Sequence, residues 1–195
     1  MKMDIFYNSL KAYLPLTEED KKILKEIVQV REINKNEIFF EEGHISDEIY
    51  YVLEGCVRLF YNVDVVDKTA FFYTEGQFIC AGESYTYNIE ARENYQAIEP
   101  SKILVFGKNE IEYLLNKSPK FELIARVAVE NELITSQKVI ASFVTKSPEE
   151  RYVDLLDTHS DLFLRVPQRY IASFLGVSPE TLSRIKARVY KKLKS

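Results

Sequence analysis

The chain has 195 residues, 46% of them hydrophobic and 25 of them tyrosine or phenylalanine, enough to pack one large or two small domains and to exclude a disordered polymer. Lysine and arginine total 26 against 30 aspartates and glutamates, a mildly acidic balance that does not by itself point to a nucleic-acid partner. Met1 to Asn8 is broken by Lys2 and Asp4, and no apolar run reaches the length of a membrane span or secretory signal, so a cytoplasmic location without a membrane partner is expected.

A helical stretch is predicted from about Met3 to Ala12, and Thr17 followed by Glu18, Glu19 and Asp20 opens a second helix that runs to about Val28. From Arg31 the texture changes. Short runs rich in Ile, Val, Tyr and Phe occupy Glu37–Phe40, Glu48–Leu53, Cys56–Asn62, Thr69–Tyr73, Asn94–Glu99 and Lys102–Phe106, separated by Gly43, Glu54-Gly55, Gly76, Gly82 and Pro100. Turn signals at this spacing imply an antiparallel barrel or jelly roll. Cys56 and Cys80 form neither a CxxC pair nor a disulfide framework, which fits a reducing compartment and a role as small buried residues; two cysteines cannot hold an iron–sulfur cluster. A metal-dependent enzyme on a jelly roll needs several converging His and Glu ligands. Only His44 and His159 exist, and His159 lies beyond the barrel, so neither an enzyme nor a metal site is expected.

Helix returns at Lys108–Leu115 and again, after Pro119, over a long segment from about Phe121 to Phe143 that lacks Gly and Pro. That segment carries two apolar lines: Phe121, Ile124, Ala125 and Ala128 on one, and Val129, Leu133, Ile140 and Phe143, with the small Ser136, on the other. Two stripes suit two partners, the barrel and a second copy of the same helix, although both could be buried within one chain. Ser147-Pro148-Glu149-Glu150 is a capping box with proline at the first helical position, so a new helix starts there and a domain boundary falls near Thr145 to Lys146. Its apolar face is Tyr152, Leu155 and Leu156, and Asp157 to Asp161 forms a polar connection.

The segment from Gln168 to Ala187 meets each requirement of a helix-turn-helix. Ala172 is small where two helices must cross, and Gly176 stands where the first helix must end in a left-handed conformation. Ile171, Leu175, Val177, Leu182 and Ile185 fall where side chains face inward. Pro167 suits a first helical turn, and Ser178-Pro179 is an N-cap followed by a first-position proline. Outward lie Ser178, Glu180, Thr181, Ser183, Arg184 and Arg188, with Glu180, Arg184 and Arg188 along one stripe. Arginine can donate to guanine O6 and N7 in the major groove, and glutamate can accept from cytosine N4. A Glu–Arg surface pair on a solvated helix uses the same residues. The charge distribution favours double-stranded DNA: Leu162–Ser195 holds eight bases and one acid, leaving 18 bases and 29 acids in the rest.

Taken in order, these pieces resemble the Crp/Fnr (cyclic-AMP receptor and fumarate-nitrate-reduction regulator) family along nearly the whole chain. The carriers are IYYVLEGCVRL at 49–59, EGQFI at 75–79 and, most specifically, IASFLGVSPETLSRI at 171–185. The resemblance implies an α+β homodimeric transcription factor: a cyclic-nucleotide-binding-like jelly roll at 1–116, a dimerisation helix at 117–145 and a DNA-binding helix-turn-helix domain at 146–195 that reads a palindromic site. It puts the recognition glutamate and arginine on Glu180 and Arg184. Pro179 stands where members often carry an arginine. Members also usually continue into wing strands beyond a point corresponding to Ser195, so backbone contact falls to Gln168, Arg169 and the Lys191–Lys194 tail, chiefly Lys191 and Lys192. Family members that bind cyclic nucleotides use a Gly-Glu pair for the ribose and an Arg-Ser or Arg-Thr pair for the phosphate. Gly82-Glu83 is present but Arg92 is followed by Glu93, so cyclic AMP is not expected to bind; Glu83 and Arg92 are the candidates for an unidentified small-molecule effector. No cofactor is named: the family's cysteine cluster is missing, and a haem ligand would have to be the lone His44. The rival reading is a small-molecule-binding module of this type that acts through protein partners.

Overall fold

The computed structural model describes residues 2–11, 14–64 and 66–193. In chain order the elements are α1 (Lys2–Lys11), α2 (Glu18–Ile27), β1 (Gln29–Ile33), β2 (Ile38–Phe40), β3 (Glu48–Glu54), β4 (Val57–Val63), β5 (Val66–Tyr73), β6 (Phe78–Ile79), α3 (Gly82–Tyr87), β7 (Asn94–Ala97), β8 (Ser101–Gly107), α4 (Lys108–Lys117), α5 (Pro119–Thr145), α6 (Pro148–Thr158), α7 (Leu162–Arg165), α8 (Gln168–Phe174) and α9 (Pro179–Leu193). They fall into two compact units, one of Met1–Leu59 with Phe72–Glu132, the other of Phe60–Phe71 with Leu133–Ser195. Ala12, Lys194 and Ser195, which the sequence assigns to a helix end and a basic tail, lie outside the described residues.

The strands form two four-stranded sheets, ordered β1-β8-β3-β6 and β2-β7-β4-β5, in which the chain passes back and forth between sheets as in a jelly roll. β8 is held antiparallel on both sides, Arg31 opposite Ile103 and Tyr50 opposite Val105. At the end of β3 the register shifts between Val52 and Glu54, and Gly55 follows at φ +108°, where a Cβ would collide with Ser101. In the first unit Phe6 of α1, Leu24 of α2, Tyr51, Phe106, Leu114 of α4, and Phe121 and Ile124 of α5 form one buried cluster. Thr17 begins α2 with a reciprocal cap: its Oγ1 accepts from Asp20 N at 3.2 Å and its N donates to Asp20 Oδ2 at 2.8 Å.

Several expectations shift. Gly82 is not a bare strand separator but the first residue of α3, and β1 and β6 join the six anticipated strands. The stretch 157–161 is not all connection, because α6 continues to Thr158 before α7 begins at Leu162. On α5 the first apolar line is buried at Phe121 and Ile124 but not at Ala125, which faces solvent because it stands one position beyond the buried row. The second line is exposed, Val129 at 68%, Leu133 at 57% and Ile140 at 64%, so burial of both lines within one chain does not hold.

In the second unit Ser147 caps α6 as the sequence requires, its Oγ accepting from Glu150 N at 3.3 Å while its N donates to Glu150 Oε2 at 2.8 Å, with Pro148 at the first helical position. Tyr152 and Leu155 are buried, and Tyr152 meets Phe163 edge-on with ring centroids 5.2 Å apart. α8 and α9 share a core of Ile171, Ala172, Leu175, Leu182 and Ile185, none more than 2% exposed; Val177 in the turn is half-buried.

Candidate nucleic-acid interface

The turn between α8 and α9 is set by hydrogen bonding and by one glycine. Gly176 N donates to Ser173 O and Val177 N to Ala172 O, both at 3.0 Å, the two bonds that close a helix through a left-handed residue. Gly176 supplies that residue at φ +68°. A side chain there would also press on Phe143, whose Cε1 would lie 3.0 Å from the added Cβ. Ser178 then caps α9, its Oγ accepting from Thr181 N at 3.2 Å and its backbone O accepting from Leu182 N at 2.9 Å.

With Leu182, Ile185 and Val189 buried, the helical period turns Glu180, Ser183, Arg184 and Arg188 outward, together with Lys191 and Lys192. Thr181 is half-buried. Gln168 and Arg169 are exposed at the start of α8. The Glu180 carboxyl is held below the ordinary carboxylate range, first by a hydrogen bond from Ser178, then by its own backbone N–H and by the Arg184 guanidinium. It therefore stays an acceptor at neutral pH.

Not all these groups are equally available. Arg188 Nε donates to Glu149 Oε2 at 2.8 Å, and Lys192 Nζ donates to Glu149 Oε1 at 2.7 Å, so one carboxylate of α6 holds two of the expected DNA-contacting residues. Lys192 and then Arg188 lower the Glu149 pKa in turn. Arg169 lies over its neighbour's ring, 4.6 Å from the Tyr170 centroid, with Nη2 donating to the Tyr170 hydroxyl at 2.8 Å. Also within this unit, Thr69 N donates to Ser173 Oγ of α8 at 2.9 Å. The sequence places Glu149 in a capping box and Thr69 in a strand but links neither to this surface, because their partners lie up to 43 and 104 residues away and no local pattern connects them.

The expected effector residues are placed differently. Glu83, in the first turn of α3, and Arg92, just before β7, are both exposed, and the two are not brought into a shared contact. Aromatic rings meet one another in the barrel: Phe39 stacks on Tyr95 at 6.2 Å and meets Tyr50 edge-on at 5.2 Å, while Tyr73 meets Tyr95 at 6.2 Å. Tyr95 donates to Cys80 O at 3.0 Å, and Tyr73 donates to Glu132 Oε1 of α5 at 3.2 Å. Burial, reinforced by Glu93 and Glu132, pushes the Cys80 thiol up to about 12, far from a reactive thiolate at neutral pH. His44 is exposed in a turn with Nδ1 3.3 Å from Glu41 O. Among the described residues no three His, Cys, Asp or Glu side chains converge, and no helix is long and apolar enough to cross a membrane.

Comparison with known proteins adds to this geometry. Residues 30–118 match the cyclic nucleotide-binding domain family. The chain is 27% identical over 132 residues to neuropathy target esterase sws of Drosophila mojavensis, spanning 8% of that much longer protein. It is 23% identical over 189 residues to the regulatory protein HlyX of Actinobacillus pleuropneumoniae, covering 90% of this chain and 78% of HlyX. Its fold is similar to that of a protein from Eubacterium rectale described as a transcriptional regulator of the Crp/Fnr family, with a TM-score of 0.70, 14% identity, and 93% and 88% of the two chains covered.

Proposed function

We propose that this chain, which belongs to the Crp/Fnr family of regulators, is a sequence-specific transcription regulator that reads double-stranded DNA with α9 and does not respond to cyclic AMP. The observation that carries the reading is the outward row Glu180, Arg184 and Arg188 on a helix whose opposite face, Leu182, Ile185 and Val189, is buried. α8, the left-handed turn and α9 then act as a helix-turn-helix: α9 enters the major groove, Glu180 and Arg184 face base edges, and Ser178, Thr181 and Ser183 line its entry. Gln168, Arg169, Arg188, Lys191 and Lys192 supply phosphate contacts.

The exposed Val129, Leu133 and Ile140 stripe of α5 is the surface for a second copy of the chain. A two-fold dimer of this kind reads two half-sites about 34 Å apart along the duplex, a palindromic operator. The reading without cyclic AMP is supported by Glu93, which follows Arg92 where family members that bind cyclic nucleotides carry serine or threonine for the phosphate. An effector, if bound near Glu83 and Arg92, is of different chemistry, and the protein is expected in the cytoplasm. The second reading, a barrel module acting through protein partners, is compatible with the cyclic nucleotide-binding domain match over residues 30–118, but it gives the basic C-terminal segment no role.

A gel-shift titration against duplexes enriched from a random-sequence pool, repeated over a salt series, separates the two. DNA binding predicts a shift that weakens steeply with salt and a recurrent inverted repeat among the enriched sequences. Absence of any shift at low salt refutes the DNA reading in favour of the module.

A further inference from the structure

We infer that Arg151 is a positioning residue for DNA recognition: it locks the turn between α8 and α9 to the end of α5, so that α9 takes its orientation from that helix. The inference rests on the reading of α9 as the recognition helix. Arg151 lies four residues after the α6 cap Ser147, and its guanidinium joins the corner between α5 and α6 to the turn after α8. It stacks over Phe143 near the end of α5, 4.3 Å from the ring centroid. Nη1 donates to Lys146 O in the connection at 2.8 Å, and Nη2 donates to Leu175 O in the turn at 2.8 Å.

Leu175 O is one of the last carbonyls of α8, which the helix itself leaves without an internal donor. Arg151 provides that donor. Gly176, next in the chain, completes the fit: a Cβ added there would stand 3.0 Å from Phe143 Cε1 and 3.7 Å from Arg151 Nη2, so turn, ring and guanidinium are in direct succession. The arrangement is kept although Arg151 Nε is buried with no hydrogen-bond partner. A side chain needed only to fill space would not leave a donor stranded in this way, since an apolar residue fills space without that penalty. What the guanidinium adds is a flat face for the ring and a two-pronged edge for two carbonyls on different segments. Lysine, a single point charge on a flexible stem, cannot do all three at once.

Arg151→Lys and Phe143→Leu test this, with three readouts on the full chain: the thermal midpoint, affinity for an enriched operator duplex, and affinity for a random duplex at the same salt. Expected for Arg151→Lys is a folded protein with operator affinity reduced about tenfold and random-duplex affinity unchanged, because the phosphate-binding charges stay in place while the base-reading side chains lose their register. Phe143→Leu, which keeps both carbonyl bonds but loses the stacked face, is expected to lose less operator affinity, again without loss on random duplex. The inference is overturned if Arg151→Lys retains the parent's operator-to-random ratio. It is equally overturned if both affinities fall together in proportion to lost folded protein in both variants. A parent protein that shows no salt-sensitive shift at all removes the DNA reading itself, a result distinct from either.

Discussion

Two arginines, one in each unit, show how the halves of this molecule use the same side chain to opposite ends. Arg58 on β4 is 2% exposed, and its Nε donates to Gln96 Oε1 at 2.7 Å, while Gln96 Nε2 donates in turn to Asn36 O at 2.9 Å. Arg184 on α9 stands in solvent with Leu182 and Ile185 fixing the helix beneath it. A charge taken out of water must be matched by internal partners, so Arg58 belongs to the fold; a charge held in water on a rigid helix is free to meet a partner of opposite sign. The barrel turns its polar groups on one another, and the C-terminal unit presents them.

That contrast is most directly broken at Arg58. Replacing it with methionine keeps the bulk but strands the Gln96 acceptor, and a loss of about 2 to 3 kcal/mol in unfolding free energy is expected by urea titration. The protein that remains folded should bind duplex as the parent does. Loss of DNA affinity at unchanged stability would place Arg58 in the interface instead. The mirror experiment is Arg184→Ala, which should lower affinity for the preferred site by about 10- to 100-fold while leaving random-sequence binding in place and changing stability by no more than about 0.5 kcal/mol. Equal discrimination before and after the substitution would contradict a base-reading role.

Glu132 sharpens the comparison from the barrel side, as a carboxylate that the fold partly encloses. Burial raises its pKa, and the hydrogen bond from Tyr73 offsets only part of that rise. The folded state therefore holds a proton at pH values where the unfolded chain has already released it. Stability falls as pH climbs from the ordinary glutamate range through the raised value, and the deficit persists above it. Glu132→Gln should raise the thermal midpoint near pH 8, with little change near pH 4, where both states of the parent are protonated. A parent and variant with parallel pH profiles would show that Glu132 is effectively solvated.

The two units also differ in how far their residues announced their structure. In the C-terminal unit each geometric demand selects a residue type: a left-handed turn at φ +68° selects Gly176, a close helix crossing selects Ala172, and a capped start selects Ser147 with Pro148 and Glu150. Those demands are local, so they can be read from short spacings. α3 is harder because it has six residues, follows Ala81, which offers no side-chain cap, and contains tyrosines and a threonine that suit strands equally well. β1 is a sheet edge of sequence QVREI whose only fully buried residue is Ile33, so it carries no apolar alternation to detect. The Arg151 contact to Leu175 and the Glu149 contacts to Arg188 and Lys192 link positions 24 to 43 residues apart. Nothing in a periodic pattern encodes which exposed base will find an acid on another helix.

That last pairing leads to the smallest expected effect, a change in salt dependence. Each phosphate neutralised by a free cation contributes about 0.9 to the slope of log affinity against log salt. Lys192 already has a carboxylate partner, and moving it from Glu149 to a phosphate releases fewer counterions than recruiting a solvated lysine. The pair lies in solvent and is therefore weak, so DNA can displace it, but the exchange flattens the contribution of Lys192. Lys191→Ala should therefore reduce the slope by about 0.9, and Lys192→Ala by clearly less. Glu149→Gln removes the acid that Arg188 and Lys192 share, and should steepen the slope and tighten binding to random duplex. In that background the effect of Lys192→Ala should move towards that of Lys191→Ala. Equal slopes for the two lysine variants, unaltered by Glu149→Gln, would mean that the acid of α6 does not compete with DNA, and that its contacts serve only to brace α9.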